Sequence, residues 1–289
     1  MELEKRGVAT ATVCSAPFLR PARAEAQHHG MPSVPFVKIL HPMATASYAA
    51  VGEEAKKVLS EIINALTTAA FYKEEAVSEP DEKNNVFMVD GGVGELNELF
   101  YERGWTDGLP IIPPTEGNVR AMLSQSHYEA NATLGFLPPS MNPVTVEKLA
   151  VNAVLAGCVP DYFPVVLAAV EGLLDEELGL YSMQTATNTT APLLIVNGPI
   201  VKILCLNAGG NLFGPGCRAN ATIGRAIRLI LINIGGEVPG ITDPSTHGQP
   251  GKYSFCIAEA EDESPWEPLH VELGYPKEQS TVTLIGAGG

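Results

Sequence analysis

The segment LNAGGNLFGPGCRANATIGRAIRL, residues 206–229, has a composition suited to binding an anion. Gly214 and Gly216 allow positive φ angles and a close approach of the backbone to a ligand. The helix predicted to begin after them leaves N–H groups free at its start, and these attract negative charge. Arg218 at this start and Arg225 two turns later could bind a carboxylate or a phosphate through paired hydrogen bonds. In the alternative interpretation, the glycines only shape a loop and the arginines pair with carboxylates of the protein.

The same segment gives no specific indication of a nucleotide. It has neither the GK[ST] ending of a phosphate loop nor GxGxxG after a strand. The predicted ligand is therefore a small polar or anionic molecule, and the sequence assigns no cofactor.

A second polar segment, residues 243–272, gathers acid, base, nucleophile and metal-ligand groups around turns and one strand. Its catalytic candidates are His247, Cys256, Glu259 and His270. Glu259 stands out because strand alternation places it on the side that otherwise carries apolar residues. A metal site formed by both histidines and a glutamate is one hypothesis, although no HExxH or other fixed zinc spacing is present.

The acidic residues that follow Glu259 have a simpler interpretation. Glu261 and Asp262 lie in the run EAEDES, which is typical of a solvent-exposed turn. They are therefore not included among the catalytic candidates.

Cys14 is a further candidate for catalysis because it ends a predicted strand before a turn that could begin a helix. A thiolate is stabilised at such a position, which would make Cys14 a redox group or a nucleophile. The alternative is a buried and inert cysteine.

Other polar side chains lie in rigid turns or beside predicted strand ends. The proline-rich run WTDGLPIIPPT would hold Asp107 rigidly, and α/β proteins bind ligands at the carboxyl ends of their strands. The predicted substrate-binding residues outside the glycine-rich loop are Asp107, Gln184, Asn188, Asn197, Asn220 and Lys252.

The pattern of elements that must position these residues predicts an α/β protein of two unequal parts. Residues 1–72 resemble part of a doubly wound, Rossmann-like unit, with strands near 8–13 and 34–40 and a helix near 52–71. Residues 73–94 are polar and charged, and are predicted to be a linker. Residues 95–289 are predicted to form a larger mixed α/β domain that holds the substrate site.

The elements of the larger part are predicted from periodicity and from start and stop signals. We predict helices near 94–104, 145–156, 163–174 and 219–233, and strands near 191–197, 253–259 and 280–285.

The charge of the chain bears on its partners. The formal net charge is −15, and residues 73–289 hold twenty-seven Asp and Glu against eleven Lys and Arg. Such a field repels nucleic acids and anionic membranes, and the apolar runs are too short to span a bilayer. We therefore expect a small-molecule substrate and protein partners, including copies of the chain in an oligomer, and neither a nucleic acid nor a membrane.

The cysteines indicate the compartment. They are five in number, widely spaced and without a CxxC pair, which argues against a disulfide framework or a structural zinc site. The opening MELEKRG has no apolar signal region. The expected location is the cytoplasm.

The N-terminal residues resemble a known family. The run ELEKRGVATATVCSAPF, followed by GMPSVPFVKILHP, resembles the latter part of the UGSC family of (seleno)proteins. That family in turn resembles the C-terminal part of the selenoprotein B components of glycine and related reductases. The matching features are the helix end EKRG, the strand that closes on Cys14, and His41-Pro42.

The later residues also show a resemblance. From Trp105 onward, GWTDGLPIIPPT, IVNGP, GPGCRANATIGRA, HGQPGKYSFCIAE and ESPWEPLHVE are similar to a bacterial domain associated with UGSC proteins as a neighbour or fusion partner. The resemblance of the N-terminal part to the UGSC family and the reductase components implies a thiol- or selenol-dependent reductive cleavage, and the later residues are expected to hold the small polar or anionic metabolite. A metal-assisted hydrolase or lyase and a non-catalytic ligand-binding subunit are the alternatives.

The sequence lacks the motif that gives the UGSC family its name, since neither UGSC nor CGSC occurs. Three explanations are open: a separate UGSC-bearing subunit supplies the motif, the start of the chain is placed too late, or the N-terminal part is a remnant.

Overall fold

A computed structural model describes residues 2–15, 18–19, 22–23, 26, 30–41, 46–67, 86–89 and 91–288. Two compact units are present. Unit 1 consists of Met1–Phe87 and Pro239–Pro244, and unit 2 consists of Met88–Val238 and Ser245–Gly289. Helices and strands occur together in both units, which confirms the α/β class.

Unit 1 is built around two short strands. Among the described residues, its elements include α1 (Glu2–Lys5), β1 (Thr12–Ser15), β2 (Phe36–Ile39) and α2 (Tyr48–Thr67). Strands β1 and β2 are parallel, with Cys14 opposite Lys38. The parallel pairing is the arrangement of a doubly wound unit.

The spacing of Val58, Ile63 and Leu66 places all three residues on one face of helix α2. Val58 is buried, whereas Ile63 and Leu66 are exposed. Most of the predicted linker lies outside the described residues, and so does Pro42 of the His41-Pro42 pair.

Unit 2 contains the following elements. Its helices are α3 (Val93–Glu102), α4 (Glu116–Leu123), α5 (Val146–Ala156), α6 (Phe163–Leu173), α7 (Leu180–Thr185), α8 (Ile200–Ile203), α9 (Arg218–Asn233) and α10 (Leu269–Glu272), with short 3-10 turns at Pro160–Tyr162, Glu176–Leu178 and Pro250–Lys252. Its strands are β3 (Thr133–Leu137), β4 (Asn142–Thr145), β5 (Ala191–Asn197), β6 (Cys256–Ala258) and β7 (Thr281–Ala287).

A three-stranded sheet, in the order β6-β5-β7, positions the polar residues of unit 2. The central strand β5 is parallel to β6 and antiparallel to β7. Val196 is therefore opposite Ala258, and Asn197 is opposite Thr281. The ends of β5 and β6 and the beginning of β7 meet at one edge of the sheet.

Helix α9 forms the centre of the core of unit 2. It packs on α5, α6 and β6, and buries Ile223, Ile227 and Ile230 almost completely. Full burial of one such side chain contributes about 1.5–3 kcal/mol. The helix thus supplies a rigid support behind the sheet.

The antiparallel hairpin of β3 and β4 was not predicted. Pro138, Pro139 and Pro143 lie in or beside its strands, and proline weakens the sequence signal of a strand.

Among the described residues, no helix combines the length and apolar character needed to cross a membrane.

Candidate functional site

The candidate site lies where strands β5 and β6 end. Asn197 is the last residue of β5, and its side chain is completely buried. Its Nδ2 atom donates to Oε2 of Glu259 at 2.5 Å and to Oε1 of Glu261 at 2.9 Å. A single buried amide therefore holds two carboxylates at the sheet edge, where α/β proteins bind their ligands.

Backbone N–H groups complete the anchoring of both carboxylates. Gly198 N donates to Oε1 of Glu261 at 2.6 Å, and Leu269 N donates to Oε2 of Glu259 at 2.9 Å. These hydrogen bonds reach Oε2 of Glu259 and Oε1 of Glu261. None of them reaches the second oxygens, Oε1 of Glu259 and Oε2 of Glu261.

The turn after β5 requires glycine. Gly198 has a φ angle of +85°, and a Cβ atom there would lie 2.4 Å from the carbonyl oxygen of Gln279. Both the backbone conformation and the close contact exclude a side chain. This turn aims the Gly198 N–H at Glu261.

His270 lies next to the two carboxylates, in the short helix α10. Its side chain is completely buried, with Nδ1 3.8 Å from Oε1 of Glu261 and Nε2 3.4 Å from the carbonyl oxygen of Lys277. Nδ1 has no hydrogen-bond partner among the described residues. The imidazole is thus held in place with one nitrogen unused.

Two other buried polar atoms at the same edge are also without partners in the described part of the chain. They are Oδ1 of Asn197 and Oγ1 of Thr281, which belong to residues opposite each other in β5 and β7. A buried polar group without a partner costs about 1–3 kcal/mol, so such groups usually bond the protein or ordered water. The three atoms at this sheet edge are therefore hydrogen-bonding groups that water or a polar ligand can use.

The turn that carries Glu261 also carries a surface ion pair. Asp262 Oδ2 lies 2.6 Å from Nζ of Lys202, and both side chains are exposed. The Lys202 ammonium, by hydrogen bond and by charge, lowers the pKa of Asp262. Because exposed pairs are screened by solvent, this pair contributes little to holding the turn.

The structure pairs two of the predicted substrate-binding residues with each other. Arg225 donates to both carboxylate oxygens of Asp107, at 2.8 and 2.9 Å, and to the carbonyl oxygens of Leu109 and Pro110. Burial alone would raise the pKa of Asp107, but the hydrogen bond and the charge of Arg225 outweigh it and lower the pKa. The pair fastens the proline-rich turn to α9.

Three other predicted binding residues hold the protein's own backbone. Asn220 bonds Asn207 N and O and the carbonyl oxygen of Cys256, so it ties α9 to β6. Gln184 donates to the carbonyl oxygen of Pro138 at 2.7 Å, and Asn188 accepts from Thr190 within a turn. The side chains of Asn220, Gln184 and Asn188 therefore use several of their donors and acceptors in hydrogen bonds within the protein.

The glycine-rich loop is shaped by its own contacts. A Cβ atom at Gly214 would lie 2.0 Å from Oδ1 of Asn211, and Gly216 has a φ angle of +125°. Arg218 is the first residue of α9 and is exposed. These facts agree with the interpretation of the glycines as loop-forming residues, and leave anion binding by Arg218 a prediction.

Two further predicted residues, His247 and Lys252, do not belong to a metal-binding group in the described part of the chain. His247 is exposed, and Nζ of Lys252 lies 3.7 Å from Oε1 of Glu237, which also pairs with Arg228. Within the described residues, no group of three or more His, Cys, Asp or Glu side chains is arranged to hold a metal ion. The hypothesised metal site of His247, His270 and a glutamate is therefore not formed there.

Burial opposes thiolate formation at the candidate cysteines. It raises the pKa of the Cys14 thiol, the direction opposite to the one expected from a helix start, and residues 16 and 17 lie outside the described part. Burial also raises the pKa of Cys256, whose side chain is almost completely buried. Both shifts oppose the thiolate form, so the catalytic roles of Cys14 and Cys256 stay predictions.

Sequence reasoning missed Glu261, Gly198 and Thr281. Glu261 was interpreted as part of an exposed turn, yet it accepts two hydrogen bonds and lies beside His270. One available signal was the spacing of Glu259 and Glu261, two residues apart after a strand. The other was the Asn-Gly-Pro sequence after β5, which is typical of a tight turn.

Comparison with known proteins finds a family similarity in the N-terminal part of the chain. The model of the UGSC family matches residues 1–68, which lie in unit 1. No curated protein and no solved structure matches the chain. The similarity to the UGSC family therefore concerns unit 1, and the site of Asn197, Glu259, Glu261 and His270 lies outside the matched residues.

Proposed function

We propose that unit 2 is an enzyme that moves protons to and from a small polar metabolite, in a reaction of the hydrolase or lyase class. One observation carries the proposal: the buried amide of Asn197 holds Glu259 and Glu261 together, beside the buried His270 with its unpartnered Nδ1. Carboxylate and imidazole groups are the side chains most often used to transfer protons.

Each group has a distinct part in this proposal. Glu261 accepts a proton from the substrate through its unanchored oxygen, and His270 exchanges a proton through Nδ1. Glu259 binds a hydroxyl or amino group of the substrate. The anchored oxygens keep the carboxylates in fixed positions, which supports catalysis because the geometry is set before the substrate arrives.

The acidic character of the site favours a substrate with donor groups. Two carboxylates with free oxygens bind hydroxyl and amino groups better than a second anion. The unpartnered Oδ1 of Asn197 is a further acceptor of a hydrogen bond. A small hydroxylated or amino-bearing metabolite is therefore the substrate class that we propose.

A second proposal concerns unit 1, and is supported by the match of residues 1–68 to the UGSC family. Here Cys14 takes part in a thiol- or selenol-dependent reduction in the cytoplasm, together with a UGSC-bearing partner subunit. An attacking thiolate forms a mixed disulfide that another thiol must resolve, so the partner supplies the second group.

Solvent deuterium exchange tests the function of unit 2 without knowledge of the full reaction. The chain is incubated in heavy water with a panel of small hydroxy, amino and keto compounds, and deuterium on carbon is measured by mass spectrometry. We expect incorporation into at least one compound, and a rate about a hundredfold lower for Glu261→Gln, since proton transfer by a positioned group contributes about 10²–10⁴-fold.

The matched control is Glu263→Gln, a change at an exposed carboxylate of the same turn. This variant should exchange at the rate of the unmodified protein. Equal rates for Glu261→Gln and the unmodified protein, or no exchange into any compound, would contradict the proposal.

A further inference from the structure

Two cysteines flank the glycine-rich loop of unit 2. Cys205 precedes the loop and is exposed, and Cys217 ends it, directly before α9, and is partly buried. The Sγ atom of Cys217 donates to the carbonyl oxygen of Cys205 at 3.3 Å. The two residues are therefore in direct contact although eleven residues separate them in the sequence.

The side chain of Cys205 is exposed and weakly held. Its Sγ atom makes a weak contact with the carbonyl oxygen of Lys202 at 3.8 Å and is exposed. The backbone of Cys205 has a φ angle of +54°, which is uncommon for a residue with a side chain. The Cys217 sulfur already lies against the backbone of Cys205, so the two side chains start from neighbouring positions, as a disulfide requires.

The other two cysteines of unit 2 are poor competitors for such a bond. Cys158 donates its thiol to the carbonyl oxygen of Thr222 at 3.3 Å, and burial raises its pKa to about 12. Burial raises the pKa of Cys256 as well. Since the thiolate is the reactive form, these shifts direct exchange away from Cys158 and Cys256.

We propose that Cys205 and Cys217 form a reversible disulfide by exchange with small-molecule disulfides. The exposed Cys205 thiolate attacks one sulfur of the small disulfide, forms a mixed disulfide and releases one small thiolate. The Cys217 thiolate then attacks the Cys205 sulfur and releases the second. The protein loses two electrons and two protons, and the small disulfide is reduced to two thiols.

This bond would close the glycine-rich loop into a ring at the start of α9. Asn207, within the loop, bonds Asn220 of α9 through both its backbone N and its O. The disulfide would therefore join a loop that is already tied to the helix, and would limit the conformations open to residues 206–216. The pair lies outside the acidic site, so the inference is independent of the function proposed for that site.

Peptide mapping after oxidation tests the inference. The whole chain is reduced, freed of reductant, treated with glutathione disulfide and digested under non-reducing conditions. We expect a cross-linked peptide that joins Cys205 to Cys217, the loss of two free thiols, and the return of both after treatment with dithiothreitol.

Two variants sharpen the experiment. Cys217→Ser should stop at a mixed disulfide of glutathione on Cys205, and Cys14→Ser should form the cross-link as the unmodified chain does. A stable mixed disulfide on Cys205 in the unmodified chain, an unreacted Cys205, or a cross-link to a different cysteine would overturn the inference. The mapping of the unmodified chain is decisive even if a variant folds poorly.

Discussion

Nδ1 of His270 lies 3.8 Å from Oε1 of Glu261, with both residues fixed from other directions. Glu261 is held by Asn197 and Gly198, and Nε2 of His270 lies near the carbonyl oxygen of Lys277. The separation exceeds that of a hydrogen bond, and Nδ1 has no hydrogen-bond partner in the described part of the chain. The proton transfer that we propose depends on this relationship.

The first prediction tests the amide that holds the two carboxylates. Asn197→Asp replaces the donating Nδ2 by an oxygen and brings a third carboxyl group beside Glu259 and Glu261. The free energy of unfolding should fall by about 2–4 kcal/mol at neutral pH, because two charge-assisted hydrogen bonds are lost and like charges repel. Urea unfolding followed by circular dichroism measures the change.

Asn188→Asp is the matched control for this prediction. The Asn188 side chain uses its oxygen to accept from Thr190 in a turn, and an aspartate can do the same. Its unfolding free energy should stay within about 0.5 kcal/mol of the original. A similar loss in both variants would contradict the role given to Asn197.

The second prediction concerns the glycine after β5. Gly198→Ala should lower the free energy of unfolding by more than Gly274→Ala, although both glycines have φ angles near +90°. The added methyl group at position 198 meets the backbone of Gln279, whereas at position 274 nothing lies within 4 Å. The strained φ alone costs about 1–3 kcal/mol, so a larger loss at position 198 measures the clash.

Thermal and urea unfolding of both variants provide the comparison. If Gly274→Ala were as destabilising as Gly198→Ala, the close approach of the β5 turn to Gln279 would not be a constraint on the fold.

The third prediction uses the ion pair of Arg225 and Asp107. Asp107→Asn should reduce the free energy of unfolding by about 3 kcal/mol at neutral pH, because it leaves a largely buried guanidinium without its charged partner. The pKa of Asp107 is lowered in the folded protein, so its stabilising effect is present above the ordinary aspartate pKa. It is lost as the pH falls through the lowered value.

Urea unfolding at pH 7 and at progressively lower pH checks both parts of this prediction. The difference between Asp107→Asn and the unmodified protein should shrink as the medium becomes acidic. Asp262→Asn, which breaks the exposed pair with Lys202, serves as the control and should have no measurable effect. A difference for Asp107→Asn that grows at low pH would contradict the account.

Cys14 provides a fourth prediction. Because burial raises the pKa of its thiol, Cys14 should react with iodoacetamide more slowly than the exposed Cys205 near neutral pH. Its rate should rise as the pH is increased towards the raised pKa. Labelling measured by mass spectrometry checks this order, and faster labelling of Cys14 would restore it as an activated thiol of unit 1.

Local signals predicted much of the fold. The sequence places Thr115 directly before α4, and its side chain accepts from Asn118 N, as an N-cap threonine does. The helices near 145–156, 163–174 and 219–233 occur within a residue of the predicted bounds. These elements depend on apolar periodicity and caps, which lie within one stretch of sequence.

The site was only partly predictable because it depends on pairing between distant segments. Glu259 could be selected from strand alternation, and Asn197 from its place at a strand end. The antiparallel return of β7, which puts Thr281 opposite Asn197, is not visible in either segment alone. The interpretation of Glu261 as solvent-exposed failed for the same reason, since its partners lie at the end of another strand.

The most direct test of the proposed function compares two histidines in the solvent deuterium exchange assay. His270 lies beside Glu261, whereas His247, also a catalytic candidate from the sequence, is exposed. With unfolding curves to show that both variants are folded, His270→Gln should reduce the exchange rate at least about a hundredfold and His247→Gln should leave it unchanged. Unchanged exchange in His270→Gln, or loss of exchange in His247→Gln alone, would contradict the account.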